Sequence, residues 1–385
     1  MSRRPAGTLA RLAVLVAAAS LLASPALAQV KAGRIGAYHA SSPRPYPAGH
    51  PSMPVVWGDE VRSPGATFVR VHFSEFDLAP GDRLVISNLT GSEQYEYTAR
   101  GPKGRGEFWA HSIDGEVAVI TLQAKGRGGN GYTIDEVGEG FAPEATPEVV
   151  CGTDGRQDVA CFGAAVSTAL LPVARLLFQD GAFLAYCTTW MVDGSNANTA
   201  ITNNHCLQNQ ADVDTAELTF NYQRKSCGGT VNTTQYKFDG AQFLKTNAAL
   251  DYTLFTVAGD PVGLGAGELI ATSADAAPKQ RIAVPQHGGG NVKKIGVFED
   301  AAHTLPCDIT SVHIDVSGYA PSSQFSYACD TEGGSSGSPV ADVATRRVIG
   351  LHHLGNVTLS PCTNGATHMT PICQDAGALL SCVND

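Results

Sequence analysis

The sequence predicts an all-β protein in which a small β-sandwich precedes a larger barrel-type domain. Three observations point there. Short runs that alternate apolar and polar residues recur along the chain, each bounded by Gly, Pro, Asp or Asn. With 42 Gly and 21 Pro among 385 residues, turns are favoured over long helices. All ten cysteines follow residue 150, which separates a Cys-free part from a Cys-rich part.

In chain order, residues 1–28 read as an export signal. Arg3, Arg4 and Arg11 form a charged region, "LAVLVAAASLLA" (12–23) is an apolar core, and "ALA" (26–28) is a small-residue cleavage motif. The apolar run is short for a membrane span. The expectation is therefore a secreted, monomeric protein with no membrane partner once the signal is removed. Residues 29–54 are rich in Pro, Ser, Gly and Ala and read as a linker. Residues 55–140 carry "TFVRVHFSEF", "RLVISNL", "QYEYTA" and "EVAVITLQA", strands at a spacing that suits a small sandwich serving as prosegment or accessory domain. "FAPEATPEVV" (141–150) reads as a second linker. Residues 151–385 hold further short strands, among them "AFLAYCTTWMV", "YTLFTV", "SVHIDVS" and "RVIGLHHL", with a short helix expected at "CQDAGALLSCV".

Composition excludes several classes. The net charge is −10 with no basic stripe, which argues against nucleic acid. An even number of cysteines in an exported chain favours full pairing, and no CxxC pair supports zinc. No metal or cofactor is expected.

Three segments of the Cys-rich part carry chemistry. "AITNNHC" (200–206) presents His205, "DYTLF" (251–255) presents Asp251, and "GGSSGSP" (333–339) presents Ser336. A serine hydroxyl is a poor nucleophile until a base takes its proton. Imidazole is that base, and a buried carboxylate fixes its tautomer and stabilises its cation. Glycines around Ser336 let backbone N–H groups turn toward an oxyanion, with Gly334 and Ser336 as the expected donors. Singly, each segment has a plain structural reading: a turn, a core histidine, a strand start. Their joint occurrence favours nucleophilic catalysis.

On these residues the second domain resembles trypsin-like serine endopeptidases of the chymotrypsin fold. The resemblance is strongest to bacterial secreted lysyl endopeptidases and covers roughly 151–375. It rests on the His205–Cys206 step, Asp251-Tyr-Thr-Leu, the loop from Thr331 to Pro339, and the strand Gly350–His352. It implies two six-stranded β-barrels with His205, Asp251 and Ser336 in the cleft between them, and polypeptide substrates. It also implies disulfides Cys151–Cys362, Cys161–Cys227 and Cys187–Cys206, leaving Cys307–Cys329 and Cys373–Cys382. A non-catalytic trypsin-like binding module is the rival reading.

The resemblance divides over specificity. Asp330 stands where trypsin-like enzymes keep an acid at the base of the pocket for the residue before the scissile bond (P1). Gly355 and Gly365 would leave that pocket open. This favours a Lys or Arg side chain, although lysyl endopeptidases place their acid near Gly365. Thr331 and His352 match positions that secreted glutamyl endopeptidases use to hold a substrate carboxylate, so glutamyl specificity is the alternative. No Lys or Arg occurs between Arg127 and Arg156, while the linker holds Glu144 and Glu148. A basic-specific enzyme could not cut itself there. Ser335 in place of an acid beside the nucleophile, and the lack of an "IVGG"-type sequence after residue 140, exclude a switch driven by a new N-terminal salt bridge. His72, His111 and His287 read as structural.

Overall fold

A computed structural model describes residues 29–385, apart from 51, 53, 127, 144–146, 151 and 359–361. The expected export segment, residues 1–28, lies outside the described residues.

The first unit is built from β1 (Val30–Ser41), β2 (Val55–Arg62), β3 (Phe68–Asp77), β4 (Arg83–Ser87), β5 (Gln94–Thr98), β6 (Phe108–Trp109), β7 (Ile113–Asp114), β8 (Val117–Gln123) and β9 (Gly131–Gly140). One sheet has the order β2-β8-β4-β5. The other runs β1-β9-β3-β6, with β7 beside β3. Alternation sends Val69, Val71, Phe73, Leu84, Ile86, Ile120, Leu122, Tyr132 and Ile134 into one core. Residues 29–54 are therefore not simply a linker: twelve of them form β1, with β9 on one edge and the second domain on the other. Their Ser- and Gly-rich composition hides a strand, because two pairing edges override weak local preference.

Two short strands follow, β10 (Pro147–Val149) and β11 (Gln157–Asp158). β10 corrects the second linker as well, since it pairs with residues 331–332. A helix, α1 (Ala164–Ala169), leads into the first barrel.

That barrel contains β12 (Val173–Asp180), β13 (Phe183–Met191), β14 (Thr199–Thr202), β15 (Glu217–Phe220), β16 (Tyr236–Asn247) and β17 (Tyr252–Val257), with α2 (Gln210–Thr215) between β14 and β15. Its order is β12-β15-β16-β17-β14-β13, and pairing of β12 with β13 closes it. The second half of the domain contains β18 (Ile282–Gln286), β19 (Lys294–Gly296), β20 (Ile309–Ile314), β21 (Gln324–Tyr327), β22 (Thr331–Glu332), β23 (Pro339–Asp342), β24 (Val348–Gly355) and β25 (Asn364–His368). Its main sheet has the order β11-β19-β18-β23-β24-β25-β21-β20, a half-open partner to the closed barrel, while β22 pairs with β10 in a separate ribbon. The result is the expected mostly-β double barrel. Trp190, Ile201 and Leu254 from the first barrel meet Leu351, Met369 and Ile372 from the second half in a shared core.

The C-terminal helix, α3 (Met369–Ala376), starts four residues before the expected segment. Pro371 is tolerated in its first turn, and Gly377 at φ 57° ends it.

The first unit is clamped to the barrel by more than β1. Glu217 is fully buried and accepts from Ser112 N–H (2.6 Å) and Ser112 Oγ (2.8 Å). Lys237 Nζ donates to Ser112 O (2.6 Å) and lies 3.9 Å from Glu217. Arg70 donates to Thr215 O (2.9 Å). His111, expected to be structural, lies 3.1 Å from Asp239 across the same boundary.

Candidate active site

Each reactive side chain sits at the end of a strand. His205 follows β14 in a turn closed by Leu207 N–H to Asn203 O (3.2 Å). Cys206, next to it, is joined to Cys187 of β13. That disulfide also consumes the two sulfurs that lie near His205, so the trio cannot act as metal thiolates. Asp251 heads β17 at φ 48°, an uncommon conformation for a residue other than glycine. Asn203 Nδ2 holds it there by donating to Asp251 O (2.7 Å).

These positions bring the three side chains into one row. His205 Nδ1 lies 2.8 Å from Asp251 Oδ2, and His205 Nε2 lies 2.9 Å from Ser336 Oγ. His205 N–H donates to Asp251 Oδ1 (3.0 Å), so the carboxylate grips ring and backbone together. Asp251 is 2% exposed. Burial pushes its carboxyl up, but the His205 and His353 rings beside it prevail and hold it far below the usual carboxylate range.

His353 is a site residue that sequence reasoning missed. Its Nδ1 lies 3.1 Å from Asp251 Oδ2, its Nε2 2.6 Å from Gln324 Oε1, and the edge of Tyr319 packs against its ring. Alternation along "GLHHLG" does send His352 and His353 to opposite faces. Nothing in the sequence says which face meets Asp251. Burial pushes the His353 ring below its ordinary value.

The nucleophile loop needs its glycines. Gly337 adopts φ 87°, and a methyl group on it would lie 2.0 Å from Thr188 O. Gly334 adopts φ 97°. Thr188 ties down both ends of the turn: its N–H donates to Ser336 O (2.7 Å) and its hydroxyl to Gly334 O (2.9 Å). Ser335 Oγ donates to Gln286 (2.6 Å), and Ser338 Oγ to Ser335 O (2.5 Å). His287, expected to be structural, is buried, and its backbone N–H donates to the Thr188 hydroxyl (3.0 Å). The N–H groups of Gly334 and Ser336 have no partner among the described residues.

The expected pocket residues are all buried. Asp330 is fully buried, and its Oδ2 accepts from Gly155 N–H (2.6 Å). Thr331 Oγ1 is buried without a hydrogen-bond partner among the described residues. His352 Nδ1 lies 2.6 Å from Tyr327 OH and 3.1 Å from Gly365 O. Gly355 pairs with Asn364, next to Gly365 on β25. The space expected beside Gly365 is taken: a methyl group there would lie 2.3 Å from Val357 Cγ1.

Disulfides join Cys161 to Cys227, Cys307 to Cys329, and Cys373 to Cys382. Cys362 is also disulfide-bonded, but Cys151, its expected partner, lies outside the described residues. No helix among the described residues is long and apolar enough to cross a membrane.

Comparison with known proteins gives a family and several relatives. Residues 152–368, more than half of the chain, match the family described as lysyl endopeptidase, C-terminal domain. A curated relative, secreted RxLR effector protein 73 of Plasmopara viticola, is 28% identical over 333 residues, 80% of this chain and 79% of the relative. Among solved structures, a Glu endopeptidase in complex with MPD is 17% identical with a TM-score of 0.42, covering 59% of this chain and 96% of its own. The active form of the Rv3671c protease from M. tuberculosis is 13% identical with a TM-score of 0.41, covering 62% and 93%.

Proposed function

Because this chain belongs to the lysyl endopeptidase C-terminal domain family and is a serine endopeptidase acting on polypeptides, we propose that Ser336, His205 and Asp251 are its catalytic residues. The hydrogen-bonded row Asp251–His205–Ser336 carries this reading. His205 Nε2 takes the Ser336 proton as Oγ attacks the scissile carbonyl, then returns a proton to the leaving amine. Asp251 holds the ring with Nδ1 protonated and stabilises the imidazolium. The N–H groups of Gly334 and Ser336, unpartnered among the described residues, receive the oxyanion. A fluorophosphonate should label the wild type and fail to label S336A. A folded wild type that resists labelling would favour the non-catalytic binding module.

We propose cleavage after Lys or Arg, with Asp330 as the charge that meets the P1 side chain. A fully buried carboxylate at this position supports it, as does the lysyl specificity named in the family. A second reading has its own observation. Asp330 already accepts from Gly155, whereas the buried Thr331 hydroxyl has no partner among the described residues and would suit a Glu side chain beside His352. Digestion of a peptide library by wild type and D330S decides between them. Lys/Arg cleavage that weakens in D330S supports Asp330, and Glu cleavage that survives in D330S refutes it.

Disulfides throughout the second domain support export to an oxidising compartment. N-terminal sequencing of the secreted form tests the division into a signal at 1–28, a first unit and a protease domain. A cut after Glu148 would split β10.

A further inference from the structure

The chain's own first strand lies on the leaving-group side of the cleft. In the reaction proposed above, the departing amine takes its proton from His205 Nε2, so the residues beyond the scissile bond exit on the His205 side of Ser336. β13 forms that wall. Its Cys187 is bonded to Cys206 beside His205, and its Thr188 holds the nucleophile loop. Two residues before Thr188, Tyr186 pairs with Val30. β1 then runs antiparallel along the same edge, Lys31 opposite Ala185, Gly33 opposite Leu184, and Arg34 opposite Phe183. Val30 also reaches the nucleophile loop: a methyl group on Gly334 would lie 3.2 Å from Val30 Cγ1. Val30 and Ala32 are buried against Phe68, Leu184 and Tyr186.

The polarity is that of a substrate. From Val30 to Arg34 the strand leads away from the nucleophile, as the residues after a scissile bond would. An extended peptide gains affinity by pairing with a free sheet edge, and here β1 already holds that edge. β1 is anchored on its other side by β9, and the first unit by the Glu217, Lys237 and Arg70 contacts.

We propose that β1 is an autoinhibitory strand. It fills the subsites where a polypeptide lays the residues following the scissile bond, and cutting residues 141–150 does not by itself release it. This rests on Ser336 being the nucleophile, and the test separates the two. In the purified full chain, a fluorophosphonate counts folded nucleophiles without needing the leaving-group side. Rates per counted site are then compared for peptidyl anilides ending in Lys, Arg or Glu and for the same peptides extended beyond the cleavage point.

The intact chain should be titrated and should cleave the anilides while sparing the extended peptides. V30D should raise the extended-to-anilide ratio by about tenfold or more. A32D, which disturbs the same strand independently, should do likewise. A chain nicked at a specific-protease site inserted within 141–150 should keep the intact ratio, its halves co-eluting. Equal ratios in the intact chain and both variants would overturn the proposal, and a ratio raised by nicking alone would overturn its second half. Failure of every form to be titrated would overturn the nucleophile reading, and this proposal with it.

Discussion

His205 and His353 share one oxygen. Asp251 Oδ2 lies 2.8 Å from His205 Nδ1 and 3.1 Å from His353 Nδ1. Burial pushes the His353 ring below its ordinary value, while the Asp251 carboxylate beside Nδ1 pulls the other way and favours a proton on that nitrogen. Gln324 Oε1 faces the other ring nitrogen, Nε2, at 2.6 Å, while its NH2 donates to the hydroxyls of Ser323 and Thr367. His353 is thus a positioning residue that acts through Asp251.

H353A should lower kcat about 10- to 100-fold with little change in KM, the effect of losing one hydrogen bond to a charged group at a site that does not touch substrate. H353Q, which can still donate, should recover part of the loss. Steady-state kinetics on one anilide substrate checks both. An unchanged kcat in H353A would remove His353 from the site.

G337A should inactivate the enzyme and destabilise it by about 2 kcal/mol or more. The added methyl group would meet Thr188 O at 2.0 Å, in a backbone conformation of φ 87°. Urea denaturation and fluorophosphonate labelling measure the two effects.

E217Q should cost about 3–5 kcal/mol, because it removes the buried charge that faces Arg70 and leaves Lys237 only Glu93 as its carboxylate partner. Burial opposes the Glu217 charge, but Lys237 and Arg70 hold its carboxyl down at about 2, against 4.5 ordinarily. Its contribution is therefore complete above about pH 4.5 and is lost as pH falls through about 2. Over that interval the wild type should lose more stability than E217Q, as read by chemical denaturation at each pH.

K293M should stabilise the protein at neutral pH. Lys293 is fully buried, donates to Leu170 O (2.6 Å), and is pushed down by burial to about 7 from 10.5. Between those values the unfolded chain binds the extra proton, so wild-type stability should rise with pH from about 7 toward 10.5. In K293M that rise should flatten. Denaturation at pH 7 and at pH 9 compares the slopes.

The all-β class and the chain order of His205, Asp251 and Ser336 were legible in the sequence. Each follows from local chemistry: alternation, turn residues, and glycines beside a serine. β1 and β10 were not legible, because Ser-, Gly- and Pro-rich segments become strands here only where another strand offers an edge. His353 was hidden for a related reason. Its spacing gives it a face, but only the packing of β24 against β17 decides that this face meets Asp251. The same holds for Asp330, whose residue type suggests a pocket acid while the Gly155 N–H donates to its Oδ2. The sequence by itself determined which reactive groups exist and in what order. The tertiary structure alone decided their distances, their burial, and the pairing of β1 with β13, because these depend on contacts between residues more than a hundred positions apart.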